Sequence, residues 1–261
     1  MTKYLFIAGL HKSGTSILAR CLAQHPDVSS FQDTGFPQDE GQFLQTIFPK
    51  AFEYGGPGKF GFSREMHLIE ESHLLTETNK SKLITQWSRF WDLNKAVLLE
   101  KSPPNILKSR FLQAVFPESY FVFIIRHPLA VAYSTQRWSK TTLPELIEHW
   151  IKCHDIMQED VNHLNFYQII HYEKLIAAPE RFLNDIYKSL SLNELNKSVI
   201  LEQNTNEKYS EQWEKLLMSV EEESRQVVKS VLQFESRIQK FGYSLLDLNK
   251  TEQYFLPSKR E

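Results

Sequence analysis

Cysteine is scarce in this 261-residue sequence, which contains only Cys21 and Cys153. Two cysteines so far apart are too few for a disulfide framework or for a thiolate zinc site. Both lie in segments with helical patterning, and we interpret them as buried free thiols. The histidines do not replace them as metal ligands, because His127, His149 and His171 lack ligand-like spacing. The sequence therefore gives no indication of a metal site.

The sequence also lacks an excess of charge of one sign. Its 30 Lys and Arg residues against 32 Asp and Glu residues give a formal net charge of −2. This balance argues against a general affinity for nucleic acid or for an anionic membrane, although it allows a local basic pocket. The apolar opening YLFIAGL is interrupted by His11 and Lys12 before it reaches the length of a signal peptide or a membrane span. We expect a cytoplasmic protein that binds anions through local geometry.

What the sequence does contain is an alternation of apolar runs with helical patterns. Four runs are typical of buried strands: KYLFIAGL, AVLLEK, SYFVFII and FYQIIHY. Helical patterns follow them in TSILARCLAQH, 64–94, PPNILKSRFLQAVF, RHPLAVAYSTQRW, TLPELIEHWIKCHDIMQED and the tail from Pro179. Residues 26–61 read as a long irregular connection with at most a short helix near EGQFLQTIF. The pattern predicts an α/β fold, a parallel sheet between two layers of helices, with ligands beyond the carboxyl ends of the strands.

The loop between the first strand and the first helix is the strongest candidate for an anion site. Its sequence GLHKSGTS, from Gly9 to Ser16, has the spacing of the triphosphate-binding motif GxxxxGKS/T, but Thr15 stands where the lysine should be. Backbone N–H groups and the helix N-terminus can still hold one phosphate, and Lys12 can reach a bridging oxygen. The alternative is an ordinary turn in which Ser13 or Thr15 caps the helix.

KSGTS in this position resembles the 5′-phosphosulfate loop of sulfotransferases that use 3′-phosphoadenosine-5′-phosphosulfate (PAPS). That family also places an arginine after a later strand and a serine eight positions further on, and IIRHPLAVAYS supplies Arg126 and Ser134. The resemblance implies that these two side chains hold the 3′-phosphate of the donor, for which a guanidinium and a hydroxyl are suited. It implies a P-loop-like sulfotransferase fold and a donor site that includes His11, Lys12, Ser13, Gly14, Thr15 and Ser16.

A third match, LEKSPPN, implies that Lys101 faces the transferred sulfuryl group, where its charge offsets that of the equatorial oxygens. Phenol and steroid sulfotransferases carry a histidine base two residues after this lysine, whereas this sequence has Pro103. Heparan-modifying sulfotransferases, which the chain also resembles, place a glutamate base on the loop after the first helix. In DEGQFL this implies Glu40 as the first choice, with Asp33 and Asp39 behind it. The alternative is that Asp39 and Glu40 merely begin a short helix.

Two segments further along the chain match the family less specifically. YEKLIAAPE follows the fourth strand and supports the fold more than the chemistry. NTNEKY lies where the family often has a late loop over the donor or acceptor, which makes Asn206, Lys208 and Tyr209 possible contacts. A polar surface loop before a helix is the simpler interpretation of that segment.

Together these matches predict one sulfotransferase domain over residues 1–261, with a nucleotide-binding core at about 3–180 and a helical part at about 180–250. The expected reaction is transfer of a sulfuryl group from PAPS to a hydroxyl or amine of a carbohydrate or small-molecule acceptor, without a metal. The alternatives are a nucleotide or metabolite kinase with an altered P-loop and a nucleotide-binding module that has lost catalysis. No motif identifies the acceptor or the oligomeric state.

Overall fold

The computed structural model describes residues 2–195 and 197–252. Its centre is a five-stranded sheet in which every pairing is parallel, with the order β2-β3-β1-β4-β5. The strands are β1 (Lys3–Gly9), β2 (Val28–Ser30), β3 (Val97–Lys101), β4 (Ser119–Ile125) and β5 (Tyr167–His171). The predicted α/β fold with a parallel sheet is therefore confirmed.

Helices cover both faces of this sheet. They are α1 (Thr15–Leu22), α2 (Glu77–Trp87), α3 (Ser109–Val115), α4 (Pro128–Ser139), α5 (Leu143–Asp160), α6 (Tyr172–Ala177), α7 (Pro179–Ser189), α8 (Glu207–Leu217), α9 (Glu222–Leu232) and α10 (Glu235–Gln239). None of the helices in the described part of the chain is both long and apolar enough to cross a membrane.

The central strand β1 pairs with β3 on one side and β4 on the other. Its side chains alternate between two apolar cores: Phe6 packs in the core that contains Trp150 of α5, and Leu5 packs in the core that contains Leu18 of α1. The chain passes from β3 to β4 across β1, so the order of the sheet reverses here. In open α/β sheets the crevice at such a point, beyond the carboxyl ends of the strands, is the usual ligand site.

The helices of the C-terminal part pack on the same core as the sheet. Trp213 of α8, Val231 of α9 and Ile238 of α10 are fully buried in the cluster that contains Phe6 of β1. Cys21 and Cys153 are buried free thiols, as their helical surroundings predict.

Two expectations about secondary structure were wrong. The first is a helix through 64–94, of which only Glu77–Trp87 is α-helical. A 3₁₀ turn at Arg64–Met66 buries Met66, and the extended chain after it lets Leu68 N–H donate to the Leu107 carbonyl at 2.9 Å. This tertiary contact overrides the helical pattern before the Thr76 side chain caps the helix.

The second error is the number of strands, since β2 lies inside the segment that was predicted to be irregular. Three residues are too few to show strand periodicity, and Ser29 gives the segment no apolar signal. The remaining part of 26–61 has no α-helix or further strand, as expected.

Candidate active site

The loop before α1 is shaped by its glycine. Gly14 has a φ of 102°, and an added Cβ there would lie 2.5 Å from the Tyr172 ring, so both the backbone and the packing require glycine. Ser13 Oγ donates to the Leu10 carbonyl at 2.6 Å, and no side chain caps the first turn of α1. Neither Ser13 nor Thr15 therefore has the capping role of the simple alternative. The N-terminus of α1 is left available to an anion.

Lys12 lies in this loop and turns towards α4. Its backbone is left-handed, with a φ of 71°, and its ammonium lies 3.4 Å from the centroid of the Trp138 ring. Burial lowers the pKa of Lys12, and the neighbouring charges of Arg126 and Arg137 add to the effect. The Trp138 side chain is largely exposed, so this cation–π contact is at the rim of the site.

Lys101, at the end of β3, meets the carboxylate that the sequence favours as the base. Its Nζ lies 3.2 Å from Glu40 Oε1 and donates to the Gln38 carbonyl at 2.9 Å. The other carboxylate oxygen of Glu40 accepts from the Gln42 amide. Glu40 is only 5% exposed, and burial raises its pKa although the Lys101 charge opposes the shift. Residues 61 positions apart in sequence thus form one buried ion pair.

Glu100 fixes the loop that carries Glu40. It lies on β3 without solvent exposure and accepts from Gly41 N at 2.9 Å, from Ser102 Oγ at 2.6 Å and from Asn105 Nδ2. An added Cβ at Gly41 would lie 2.5 Å from Glu100 Oε1, so only glycine allows this approach. Glu100 is not among the site residues predicted from the sequence. Its signal was a charged residue inside an otherwise apolar strand, because such a residue needs buried partners.

The two aspartates behind Glu40 differ in their surroundings. Asp39 Oδ1 accepts from Thr34 N at 2.9 Å and from Thr34 Oγ1 at 2.7 Å, so Asp39 closes a turn. Asp33 has a left-handed φ of 52°, and in residues 2–195 and 197–252 no hydrogen bond or ion pair reaches its exposed carboxylate. Asp39 and Glu40 do not begin an α-helix. They precede only a 3₁₀ turn at Gly41–Phe43, which the Glu40 side chain does not cap.

Arg126 and Ser134, on the other side of β1, are both covered by the segment that begins α8. Arg126 Nε donates to Asn206 Oδ1 at 2.9 Å, and its Nη1 donates to the Lys12 carbonyl at 2.8 Å. Ser134 Oγ lies 2.5 Å from Tyr209 OH. Arg126 and Ser134 are 8% and 9% exposed. Residues 205–209, which we call the covering segment, thus form hydrogen bonds with both side chains that are predicted to bind the 3′-phosphate.

Tyr172 completes this side of the site, although its segment YEKLIAAPE predicts only an architectural role. Its ring contacts the position of Gly14 and lies 4.3 Å from the Arg126 guanidinium carbon. Its hydroxyl lies 3.0 Å from Thr205 Oγ1 of the covering segment. Tyr172 therefore contacts Arg126, the covering segment and residues 9–16, which we call the donor loop after their predicted role.

The His11 ring packs against Phe60, with ring centroids 5.7 Å apart. Both of its ring nitrogens are buried, and none of the described residues offers them a hydrogen-bond partner. They border a cavity of about 10 Å³, together with Thr135 and His149, which has room for about one water. Burial lowers the pKa of His11 to about 3, helped by the charges of Lys101 and Lys12. A neutral imidazole of such low basicity is unsuited to accept a proton at neutral pH.

A cleft of about 580 Å³ opens beside Lys101, between α1 and residues 30–39. It is continuous with the donor loop, because Ser16 in the first turn of α1 is part of its wall. The other lining residues are Ala19, Arg20, Ala23, Gln24, Ser30, Phe31, Gln32, Asp33, Gln38, Asp39 and Leu99.

An uncapped helix start, two lysines and a carboxylate at one edge of a parallel sheet suit transfer of an anionic group, and comparison with known proteins names the family. The model described as "Sulfotransferase family" matches residues 5–196. The chain belongs to the sulfotransferase family. This sulfotransferase is 21% identical over 201 residues to protein-tyrosine sulfotransferase of Drosophila melanogaster. That match covers 72% of this chain but only 38% of the relative.

A solved sulfotransferase structure shows the same fold. The sulfotransferase domain from the Synechococcus PCC 7002 olefin synthase has a TM-score of 0.50 to this sulfotransferase at 17% identity, covering 88% of this chain and 94% of that domain. A sulfotransferase from Alicyclobacillus acidocaldarius has a TM-score of 0.49 at 17% identity, covering 90% of this chain and 96% of the other. At this identity the likeness concerns the fold, and the chemistry must be argued from the residues.

Proposed function

We propose that this sulfotransferase transfers the sulfuryl group of PAPS to a hydroxyl or amine of a carbohydrate or small-molecule acceptor. The observation that carries the proposal is the buried pair of Lys101 and Glu40, 3.2 Å apart at the carboxyl end of β3, next to the loop that contains Lys12. The pair combines a cation for the sulfuryl oxygens with a carboxylate for the acceptor proton.

The donor loop fits a 5′-phosphosulfate. The uncapped N-terminus of α1 offers backbone N–H groups to a single phosphate, and Lys12 is within the loop that precedes it, in which Ser13 N–H is already bonded to the Leu10 carbonyl at 3.1 Å. Movement of the Lys12 ammonium from Trp138 to the bridging oxygen places positive charge where the leaving group becomes negative. Arg126 and Ser134 bind the 3′-phosphate once the covering segment has moved away from them.

Transfer then proceeds in line. The acceptor oxygen loses its proton to Glu40 and forms a bond to sulfur, while the bond from sulfur to the bridging oxygen breaks and adenosine-3′,5′-bisphosphate leaves. Lys101 turns from Glu40 to the sulfuryl oxygens as their charge is redistributed. Burial, which raises the Glu40 pKa, makes it a better proton acceptor than an exposed carboxylate. Asp33 is the second candidate for this role.

The kinase alternative is disfavoured by Thr15, since no lysine occupies the position that bridges the terminal phosphates of a triphosphate. A module without catalysis has no use for a buried Lys101–Glu40 pair, because burial of two charges opposes folding unless their geometry is well matched. These points favour the enzyme over both rivals.

The test is transfer of radiolabelled sulfate from PAPS to a panel of sugars, phenols and amines, with products identified by mass. We expect labelled product with at least one acceptor and without added metal, and loss of more than about 99% of the rate in Lys101→Ala. The exposed residue Lys82 provides the matched control, Lys82→Ala. Equal rates for Lys101→Ala and Lys82→Ala would refute the assignment of Lys101, and transfer from ATP instead of PAPS would support the kinase.

A further inference from the structure

The cleft beside Lys101 has no role in donor binding as described above. We infer that it is the acceptor site, and that the acceptor is a polar, hydroxyl-rich molecule the size of a mono- or disaccharide. This inference rests on the proposed sulfuryl transfer and specifies the acceptor for it.

The position of the cleft suits an in-line reaction. Arg126 follows β4, on one side of β1, whereas Lys101 ends β3 on the other side. A donor that spans from Arg126 to the loop before α1 therefore presents its sulfuryl group towards β3. The cleft reaches this point from the β3–β2 side, because both Ser16 and Lys101 line it. The attacking oxygen of the acceptor and the leaving oxygen of the donor then lie on opposite sides of the sulfur, as in-line displacement requires.

Most of the residues that line the cleft have polar side chains. Nine of its thirteen residues carry a polar or charged side chain, among them three glutamine amides and two serine hydroxyls. The larger apolar members, Phe31 and Leu99, are 6% and 1% exposed and so offer little surface to a ligand. Gln32 Nε2 donates to Ser30 Oγ at 3.4 Å. An apolar phenol or steroid would displace water from the other amides and hydroxyls without replacing its hydrogen bonds, which costs binding energy, whereas a sugar can pair with them. The volume of about 580 Å³ lies within the range of small-molecule sites.

Four charged residues line the cleft, and two of them already have partners within the protein. Lys101 pairs with Glu40 and Asp39 pairs with Thr34. Within the described residues, Arg20 and Asp33 are exposed and have no hydrogen bond or ion pair through their side chains. Their opposite signs cancel, so the cleft does not select for a charged acceptor. Each of them can still form strong hydrogen bonds to hydroxyl groups.

The experiment compares acceptors and variants in the full chain. Glucose, N-acetylglucosamine and cellobiose represent polar acceptors, and 2-naphthol and a tyrosine-containing peptide represent aromatic ones. We expect lower KM values for at least one sugar than for either aromatic acceptor. We expect Asp33→Asn and Arg20→Gln each to raise the KM for that sugar about tenfold, with kcat within about twofold and unchanged affinity for adenosine-3′,5′-bisphosphate. Asp185→Asn and Arg89→Gln, which change exposed charges outside the cleft, should leave all constants unchanged.

Three results would overturn the inference while leaving the proposed function intact: a lower KM for 2-naphthol or the peptide than for every sugar, an unchanged sugar KM in both cleft variants, or a large loss of kcat in Asp33→Asn at saturating sugar. The last would make Asp33 the proton acceptor instead of an acceptor contact. Absence of transfer to every acceptor would overturn the proposed function and this inference with it.

Discussion

At the scale of single residues, the structure joins groups whose roles in the proposed reaction are separable. Lys12 is in the loop expected to bind the donor, and Glu40 is paired with Lys101 away from Arg126. In the proposed reaction, loss of charge at Lys12 affects the leaving group, whereas loss of the Glu40 carboxylate affects the acceptor proton and the ion pair with Lys101. The two substitutions should therefore respond differently to the acidity of the acceptor.

We expect Glu40→Gln to lower the rate of transfer to an alcohol by about a hundredfold or more, the usual scale for loss of a general base. Adenosine-3′,5′-bisphosphate should bind this variant normally. An acidic phenol, which ionises without help, should largely restore its rate but should not restore that of Lys12→Ala. Steady-state kinetics with 4-nitrophenol and an alcohol measure this difference. A Glu40→Gln variant that is equally slow with the phenol would contradict the role of Glu40.

Lys108 provides a prediction about stability. Its side chain is fully buried, with Nζ 3.9 Å from Met66 Sδ and 5.6 Å from the centre of the Phe48 ring. Burial lowers its pKa to about 7, far below the value of about 10.4 in an unfolded chain. Between these values the unfolded chain binds more protons, so this lysine makes the free energy of unfolding rise with pH from about 7 to 10.

Lys108→Met should remove that rise and should increase the free energy of unfolding at pH 7 by about 1–4 kcal/mol, because a buried amine bonded to the weak acceptor Met66 Sδ is replaced by an apolar side chain of similar size. Urea denaturation at pH 7 and pH 9 measures both effects. Lys82→Met, at an exposed position of α2, is the control and should change neither. A destabilised Lys108→Met with an unaltered pH dependence would show that the amine has a partner that stabilises it.

Prediction from sequence worked best where the signal is local. The spacing of Gly9 to Ser16 and the eight-residue interval between Arg126 and Ser134 are visible because each motif lies on one turn and one helix. Glu100 was missed because its hydrogen bonds to Gly41 and Asn105 depend on how a distant loop meets β3. The catalytic and donor-binding roles of all these residues stay predictions.

At the scale of elements, the covering segment determines access to the two side chains that are predicted to bind the 3′-phosphate. Asn206 and Tyr209 hold Arg126 and Ser134 with hydrogen bonds that a phosphate would replace. In the proposed mode of binding, the donor therefore displaces part of the start of α8. The energy of the broken contacts is subtracted from the affinity for the donor.

Weakening the covering segment should accordingly strengthen binding. Tyr209→Phe removes the hydroxyl 2.5 Å from Ser134 Oγ but keeps the ring that stacks on Tyr133. We expect the affinity for adenosine-3′,5′-bisphosphate, measured by calorimetry, to rise about fivefold, the equivalent of one hydrogen bond. Tyr187→Phe, which removes a buried hydroxyl bonded to the carbonyls of α1, is the control. A lower affinity in Tyr209→Phe would mean that this hydroxyl contacts the donor directly.

Element prediction failed where tertiary contacts overrode local pattern. The four longer strands were recognisable as apolar runs, because a parallel strand buried on both faces is apolar throughout. Residues 64–76 were not, since the buried position of Met66 and the hydrogen bond of Leu68 to Leu107 come from packing against a distant segment. Strand β2 exists only because β3 offers it an edge, through the pairing of Val28 with Val97.

At the scale of the whole molecule, the proposed donor and acceptor sites lie on opposite sides of β1 along the carboxyl edge of the sheet. Arg126 follows β4, the donor loop follows β1, and Lys101 ends β3, so the three groups lie in this order across the carboxyl edge. The C-terminal helices share the apolar core of the sheet through Trp213, which links the covering segment at the start of α8 to the body of the protein. Occupation of the donor site should therefore stabilise the whole structure.

This stabilisation distinguishes the proposed donor from ATP. Adenosine-3′,5′-bisphosphate at a hundred times its Kd should raise the free energy of unfolding by about 2.7 kcal/mol. For a protein of this size that corresponds to a rise in Tm of about 5–10 °C. The same concentration of ATP, with or without Mg²⁺, should give a much smaller rise, because the loop has Thr15 in place of the triphosphate lysine.

Adenosine-5′-monophosphate should also give less, since it offers no 3′-phosphate to Arg126 and Ser134. Ser134→Ala should reduce the rise with the bisphosphate but not the small rise with the monophosphate, while Ser81→Ala, on the exposed side of α2, should change neither. Thermal unfolding followed by circular dichroism measures all of these shifts, and equal shifts for the bisphosphate and the monophosphate would remove the basis for a 3′-phosphate site.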